Sequence, residues 1–289
     1  MRQHITTQDR SPPFKSTRIE SAEPDTFDQS QPRIGRRESE PHSIEVSYLH
    51  DVLSSNFPQH HALLDLHHYF QLGGDEVDVQ FDISFFLNFS IPYTLSSYRA
   101  TDYQNRVPAL AINILSKNTW RADLSENLDL CRALKIPVYL VFAPFNVASK
   151  YYQPPFVRAY QIQEDGSYTI VELRNSCTSK ISTILEENLI DFHGILPFRI
   201  GIEELESKHE KNLSRYRLIL VQQDSPNRLY TKYEQEKQCA EQEKQRAEQE
   251  KQRAEQEKQR ADKEKQRADK EKQRADKYLK VLKDHGIEP

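Results

Sequence analysis

Residues 107–143, VPALAINILSKNTWRADLSENLDLCRALKIPVYLVFA, contain the pattern that decides the fold. The apolar run after Pro108 predicts a buried strand over 109–115, interrupted by one polar residue, Asn113. Over 120–135 apolar residues recur every three or four positions, which predicts one amphipathic helix. The apolar run PVYLVF that follows predicts a second buried strand. Strand, helix and strand in this order predict a right-handed crossover unit with both strands in one sheet.

Both ends of the 289-residue chain differ in composition from its middle. Residues 1–43 are rich in Ser, Pro, Gln and charged side chains, with too little apolar surface to offset the loss of chain entropy. We therefore predict that they are disordered. Residues 225–289 are dominated by charged heptads. Between them, residues 44–224 are about 180 residues, enough for one sizeable core.

Charge and cysteine content exclude several classes of protein. The net charge is −4, so the chain as a whole lacks the basic excess typical of nucleic-acid-binding domains. Its three cysteines lie far apart in the sequence, which argues for a reducing compartment and against a structural zinc site. No apolar run approaches the roughly 18 residues of a membrane span, and the N-terminus lacks the apolar segment of a signal peptide. We expect a soluble, cytoplasmic protein without a membrane partner.

Two helices are predicted ahead of the crossover unit. Ser43 is placed to cap the first, and the second is predicted over 59–71, where Gly73 and Gly74 would end it. Three polar residues of the second helix would share one face, namely His61, Asp65 and His68. Their spacing could hold a metal ion, and a solvated polar face is the alternative.

Strands are predicted on both sides of the crossover unit. In DEVDVQFDISFFLNFS, residues 75–90, apolar and polar residues alternate, which predicts a half-buried strand. Asp78 and Asp82 lie on its polar face, about 13 Å apart at a rise of roughly 3.3 Å per residue. FVRAYQIQ and YTIVELR flank a Gly166 turn and predict a hairpin. RYRLILVQ predicts a last strand, and ILPFRIGIEELESK a short strand or a turn into a helix.

The C-terminal segment repeats EQEKQRA and DKEKQRA from Glu234 onward, with no Gly or Pro, which predicts one long helix. Alanine is the single apolar residue in each heptad, whereas a stable coiled coil has two. Two interpretations stay open. The helix forms a weak self-associating coiled coil, which makes the protein a homo-oligomer, or it is an isolated charged helix.

Acidic groups on a central sheet beside a helix suggest metal-assisted phosphodiester cleavage. Carboxylates on adjacent strands hold Mg(II), which polarises the phosphate, and a nearby Lys stabilises the developing charge. Asp78 is placed for the first carboxylate. The second is expected in the middle of the 109–115 strand, where the chain has Asn113. Its amide offers an oxygen without a charge, so metal affinity should fall.

Over about residues 45–205 the chain resembles the Uma-type restriction endonucleases of the PD-(D/E)xK superfamily. The matching residues are Asp78-Val79, Ile114-Leu115-Ser116 with Thr119, Asp123, and Ile136-Pro137 with Tyr139. The resemblance implies an α/β restriction-endonuclease-like core, a mixed central sheet flanked by helices, here joined to a long C-terminal helix or coiled coil. It also implies Mg(II) as cofactor and DNA as partner.

Four positions depart from the family pattern, namely Val77 (Pro expected), Asn113 (an acidic residue), Asn127 (Lys) and Cys131 (Tyr). Replacements could come from other side chains: Lys117, Arg121 or Lys135 as the cation, and Asp123 as the carboxylate. The candidate catalytic residues are therefore Asp78, Asn113, Lys117 and Asp123, and the candidate metal ligands are Asp78 and Asn113. Two functions are compatible with this pattern. One is a Mg(II)-dependent DNA endonuclease with impaired catalysis, and the other is a non-catalytic binding or assembly protein oligomerised by its helix.

Overall fold

The computed structural model of the protein describes residues 3–4, 40–91, 95–116, 119–145, 152–177, 184–205 and 216–284. The chain divides into two compact units, Met1–Lys232 and Tyr233–Pro289. The first unit has two sheets, three α-helices and two short 3-10 helices in the described residues. The second contains most of one long helix.

The larger sheet has eight strands, which are β1 (Gln3–His4), β2 (His61–Leu72), β3 (Asp75–Phe86), β4 (Tyr98–Arg99), β5 (Leu110–Ile114), β6 (Val138–Ala143), β7 (Phe156–Ile162) and β8 (Tyr168–Leu173). Their order across the sheet is β1-β8-β7-β6-β5-β3-β2-β4. The smaller sheet comprises β9 (Ile190–Asp191), β10 (Phe198–Glu204) and β11 (Tyr216–Gln222), in the order β11-β10-β9. The helices are α1 (Glu40–Asn56), α2 (Trp120–Asp123), α3 (Glu126–Ala133) and α4 (Lys232–Asp284). The prediction of a mixed α/β core with a long C-terminal helix is confirmed.

The crossover unit is present, and its two strands, β5 and β6, pair in parallel from Leu110↔Val138 to Ile114↔Phe142. The single helix predicted between them is divided into α2 and α3. Ser125 lies at the division with φ −133° and ψ −82°, and its hydroxyl donates a hydrogen bond to the Arg121 carbonyl oxygen at 2.6 Å. A serine that bonds to the preceding turn competes with the helix, and the periodicity of apolar residues does not reveal this.

The prediction of a helix over 59–71 is wrong, because residues 61–71 form most of β2. β2 pairs antiparallel with β3 up to Leu72↔Asp75, so Gly73 and Gly74 form a two-residue hairpin turn. Their φ angles of +63° and +98° are those that favour glycine. His61, Asp65 and His68 therefore do not share a helix face that could hold a metal ion, since residues seven apart on a strand are about 23 Å apart.

The N-terminal prediction is tested at only a few positions. Helix α1 begins at Glu40, so Ser43 lies inside the helix and is not its N-cap. Gln3–His4 forms a short strand beside β8, with Gln3 opposite Glu172. The remainder of the segment predicted to be disordered, 1–43, lies outside the described residues.

Each face of the larger sheet has its own apolar core. Alternate residues of β6 divide between the two: Val138, Leu140 and Phe142 face one core, and Tyr139, Val141 and Ala143 face the other. The first core is covered by α1 and the smaller sheet, and the second by α2 and α3. Polar side chains of β5 on the second face therefore lie under α2 and α3.

The second unit contains α4, a helix of 53 residues, as predicted from the heptads. Side chains over 236–280 are exposed. None of the helices in the described parts of the chain is both long enough and apolar enough to cross a membrane.

Candidate active site

Strands β3 and β5 separate at Asp82 and Asn113. The last pair of their ladder is Ile83↔Ile112, and beyond it side chains replace backbone partners. The Asp82 carboxylate accepts a hydrogen bond from the Ile114 N–H at 2.6 Å. In return, the Asn113 carboxamide oxygen accepts one from the Asp82 N–H at 3.3 Å. These reciprocal bonds hold both side chains where two central strands diverge, the kind of crevice in which sheets commonly place reactive groups.

Asn113 connects this split to helix α2. Its Nδ2 donates to Asp123 Oδ1 at 2.7 Å and to the Tyr139 hydroxyl at 3.3 Å. Asn127 Nδ2 donates to the same Asp123 oxygen at 3.0 Å, and the Tyr139 hydroxyl donates to the Asp123 carbonyl at 2.8 Å. We call Asp82, Asn113, Asp123, Asn127 and Tyr139 the polar cluster. It brings together residues from β3, β5, β6, α2 and α3.

Asp123 is the most perturbed acid of the polar cluster. It is 4% exposed, and burial raises the pKa of its carboxyl to about 6. The side chains of Thr119, Asn113 and Asn127 favour its charged form, whereas the negative charge of Asp82 disfavours it. The Thr119 hydroxyl also lies within hydrogen-bond distance of Ser116 Oγ, at 2.8 Å. Asp123 Oδ2 has no hydrogen-bond partner among the described residues, so one oxygen of this carboxyl is available.

Asp82 is contacted by a residue of helix α1, which covers the face of the sheet opposite to α2 and α3. Nε2 of His42, on α1, lies 3.1 Å from Asp82 Oδ2, and the side chains are 4% and 15% exposed respectively. The same Asp82 oxygen accepts the bond from the Ile114 N–H. One oxygen of Asp82 is thus committed to the fold.

The structure brings together two of the predicted site residues, Asn113 and Asp123, and separates a third from them. Asp78 lies opposite Tyr69 on β3, is exposed, and has His67 Nδ1 at 3.0 Å from its carboxylate. It is four residues from Asp82, about 13 Å along the strand. The pairing of β5 reaches only residues 83–85 of β3, so Asp78 and Asn113 cannot hold one metal ion. Lys117 lies outside the described residues.

The other predicted cations do not join the polar cluster. Lys135 follows α3, with φ +57°, at the end of the crossover farthest from Asn113. Arg121 packs on the Trp120 ring. In the part of the chain that the structure describes, no Lys or Arg side chain forms a hydrogen bond to the polar cluster. Leu115, two residues after Asn113, is an apolar and fully buried side chain, so this position supplies no cation either. The described residues also contain no group of three or more His, Cys, Asp and Glu side chains arranged to hold a metal.

Sequence reasoning missed Asp82, although a signal for it exists. Asp82 directly precedes ISFFL, the run that is apolar at nearly every position, whereas Asp78 lies in the alternating half of the strand. A continuous apolar run indicates burial on both faces and therefore a central position in the sheet. The acidic residue next to that run is the one expected at the split between central strands.

No protein-family model and no curated protein matches the chain. Among solved structures, a protein from Anabaena variabilis described as a "putative nuclease belonging to DUF820" is similar over 49% of this chain and 72% of its own chain. The identity is 19% and the TM-score is 0.37. Fold and site together define a mixed α/β protein with a carboxylate–amide cluster at the split of its central strands.

Proposed function

We propose that the chain is a restriction-endonuclease-like protein in which the polar cluster stands at a Mg(II)-dependent phosphodiester-cleaving site, and that hydrolysis is impaired there. The observation that supports this most is the position of Asp82 and Asp123 on either side of Asn113, where β3 and β5 separate. Carboxylates at such a split are the oxygen ligands that Mg(II) prefers.

The proposed impairment follows from the two amides. Asn113 and Asn127 both donate to Asp123 Oδ1, so this oxygen already accepts two hydrogen bonds from uncharged groups. A metal site here would consist of Asp82, Asp123 and the Asn113 oxygen, with one negative charge fewer than three carboxylates provide. The bound ion would supply polarisation of a phosphate and a lowered pKa of water. Asn127 carries no charge with which to stabilise the developing oxyanion.

The experiment is cleavage of supercoiled plasmid DNA with Mg(II) or Mn(II). We expect the double variant Asn113→Glu, Asn127→Lys to cut at least roughly 10²-fold faster than wild type, because it restores a ligand charge and a cation. Adding Asp82→Asn should abolish the gain, whereas Asp78→Asn, the matched control on the same strand, should not. Thermal unfolding of each variant separates lost activity from lost folding.

Two results would contradict the proposal. Wild-type cleavage that depends on Asp78 and not on Asp82 would place the site elsewhere on β3. A folded double variant that neither cuts DNA nor binds Mn(II) more tightly than wild type would remove the catalytic hypothesis.

A second candidate function, non-catalytic assembly, is favoured by α4. Its 53 residues carry an alanine at every seventh position, 240–275, on an otherwise charged and exposed surface. We propose that this seam pairs with a second copy, making the protein a homo-oligomer. Assembly is compatible with either an active or an impaired polar cluster.

A further inference from the structure

Aromatic rings and arginine side chains adjoin one another beside the polar cluster. Trp120 is the first residue of α2, the helix that ends at Asp123. The centroid of its ring lies 5.8 Å from that of Tyr152, which lies 5.2 Å from that of Phe156 at the start of β7. Phe156 is fully buried, whereas Trp120 and Tyr152 are partly exposed. We call Trp120 and Tyr152 the aromatic platform.

Three guanidinium groups surround the aromatic platform. Their Cζ atoms lie 4.9 Å from the Trp120 ring (Arg121), 5.7 Å from the Tyr152 ring (Arg158) and 4.4 Å from the Phe156 ring (Arg174). Glu172 is the acid that pairs with two of them, at 2.6 Å from Arg158 and 3.4 Å from Arg174. Three guanidinium groups thus lie against the rings of this region, and two of them also pair with the Glu172 carboxylate.

We propose that the aromatic platform binds an unpaired segment of nucleic acid. Bases stack on Trp120 and Tyr152, while the guanidinium groups of Arg121 and Arg174 contact the phosphates. Aromatic faces take any base whose own face is free, so this arrangement suits a single strand rather than a duplex. Guanidinium groups match phosphate oxygens in geometry as well as in charge.

This inference rests on the proposed function in one respect, because it names single-stranded nucleic acid as the substrate class of the adjoining polar cluster. Trp120 is three residues from Asp123, so a strand held on the platform passes close to the cluster. Binding itself requires neither metal nor hydrolysis. The two proposals can therefore fail separately.

A matched control lies at the far edge of the larger sheet. Arg99 of β4 packs on the ring of Tyr69 in β2, with Cζ 4.6 Å from the centroid. Its guanidinium pairs with Glu76 at 2.9 Å, and the two side chains are about equally exposed. The pair reproduces the chemistry of an arginine on an aromatic ring, and the ring stacked beside Tyr69 is the imidazole of His67, at 6.4 Å between centroids, in place of an indole.

The test uses the intrinsic fluorescence of Trp120, the single tryptophan of the chain. The full-length protein is titrated with oligothymidylate of about 12 nucleotides, a usual site size for single strands, at low salt and without metal. We expect saturable quenching that weakens as salt rises. Measured by anisotropy of a labelled oligonucleotide, Tyr152→Ala and Arg121→Ala should raise Kd about 5-fold or more, since stacking is worth about 1 kcal/mol or more per base. Tyr69→Ala and Arg99→Ala should leave Kd unchanged.

Several outcomes would overturn the inference: no quenching and no anisotropy change at low salt, duplex bound as tightly as single strand, or Tyr69→Ala as harmful as Tyr152→Ala. Plasmid cleavage by the Asn113→Glu, Asn127→Lys variant without single-strand binding would overturn this inference and leave the proposed function standing. Single-strand binding that depends on Tyr152, together with a folded Asn113→Glu, Asn127→Lys variant that neither cuts DNA nor binds Mn(II) more tightly than wild type, would support the inference and contradict the proposed function.

Discussion

Asn113 decides the chemistry of the polar cluster because a carboxamide has both an acceptor and a donor. Its oxygen accepts the Asp82 N–H, and its nitrogen donates to Asp123. A carboxylate at the same position could only accept, so it would face the Asp123 carboxylate without a proton or a cation between them. Asn127 donates to the same oxygen of Asp123. The Asn113 and Asn127 amides thus share one acceptor oxygen of Asp123.

A second buried polar pair predicts how stability depends on pH. His68 is fully buried, with Nδ1 at 2.8 Å from the Leu66 carbonyl and Nε2 at 2.7 Å from Ser84 Oγ. Since a carbonyl only accepts, Nδ1 carries the hydrogen and Nε2 accepts from the Ser84 hydroxyl. Burial lowers the pKa of His68 from 6.5 to about 4. The folded protein therefore holds the ring neutral under conditions where the unfolded chain protonates it.

The buried neutral His68 ring therefore contributes to the unfolding free energy above pH 6.5, and this contribution is lost as the pH falls through about 4. From pH 7 to pH 4 we expect the unfolding free energy of wild type to fall by up to about 3 kcal/mol more than that of His68→Gln. Urea unfolding at the two pH values measures this. If the unfolding free energies of wild type and His68→Gln fell equally between pH 7 and pH 4, His68 would not be the titrating group.

At the scale of elements, β3 has two environments along its 12 residues. Its first half pairs with β2 alone, whereas residues 83–85 also pair with β5. The first half therefore alternates polar and apolar residues, and the second half is apolar on both faces. Asp82 lies at the change from one environment to the other, which explains why an acidic residue on this strand reaches the polar cluster.

The alanine seam of α4 leads to a prediction about assembly. If two copies pair along it, Ala247→Glu, Ala254→Glu and Ala261→Glu together should convert an oligomer into a monomer, because the close contact would bury like charges. Sedimentation equilibrium measures the mass. The control is Gln245→Glu, Gln252→Glu and Gln259→Glu, which adds equal charge about 200° around the helix and should leave the mass unchanged. A wild-type protein that is monomeric at every concentration would instead support the isolated charged helix.

At the scale of the whole molecule, the buried apolar residues in the described part of the chain belong to the first compact unit. The buried clusters end at Leu229, before the second unit begins at Tyr233. We expect removal of residues 233–289 to change the unfolding free energy of the first unit by less than about 0.5 kcal/mol, because the buried apolar clusters lie within that unit and changes at exposed residues alter stability little. Thermal or urea unfolding followed by Trp120 fluorescence tests this at fixed protein concentration. A loss of several kcal/mol would show that the helix stabilises the core, directly or by assembly.

Several elements were predictable from the sequence because their signals are local. The crossover unit is bounded by two apolar runs that are too short for helices, and the β7–β8 hairpin has its glycine at the turn. Helix α4 follows from heptads without Gly or Pro. The segment 61–72 could not be assigned by spacing alone, since its apolar residues fit a helix face as well as a strand. Gly73 and Gly74 support both a helix end and a hairpin turn.

The sequence by itself determined the order of buried strands, the presence of the long helix, and the unusual amides at Asn113 and Asn127. Only the tertiary structure decided which acid joins them. Asp78 and Asp82 occupy the same face of one strand, and the choice depends on the register between β3 and β5, which are separated by 23 residues. Register is a non-local property, set by apolar packing on both faces of the sheet. For that reason the residues of the cluster were partly predictable, and their meeting at Asp123 was not.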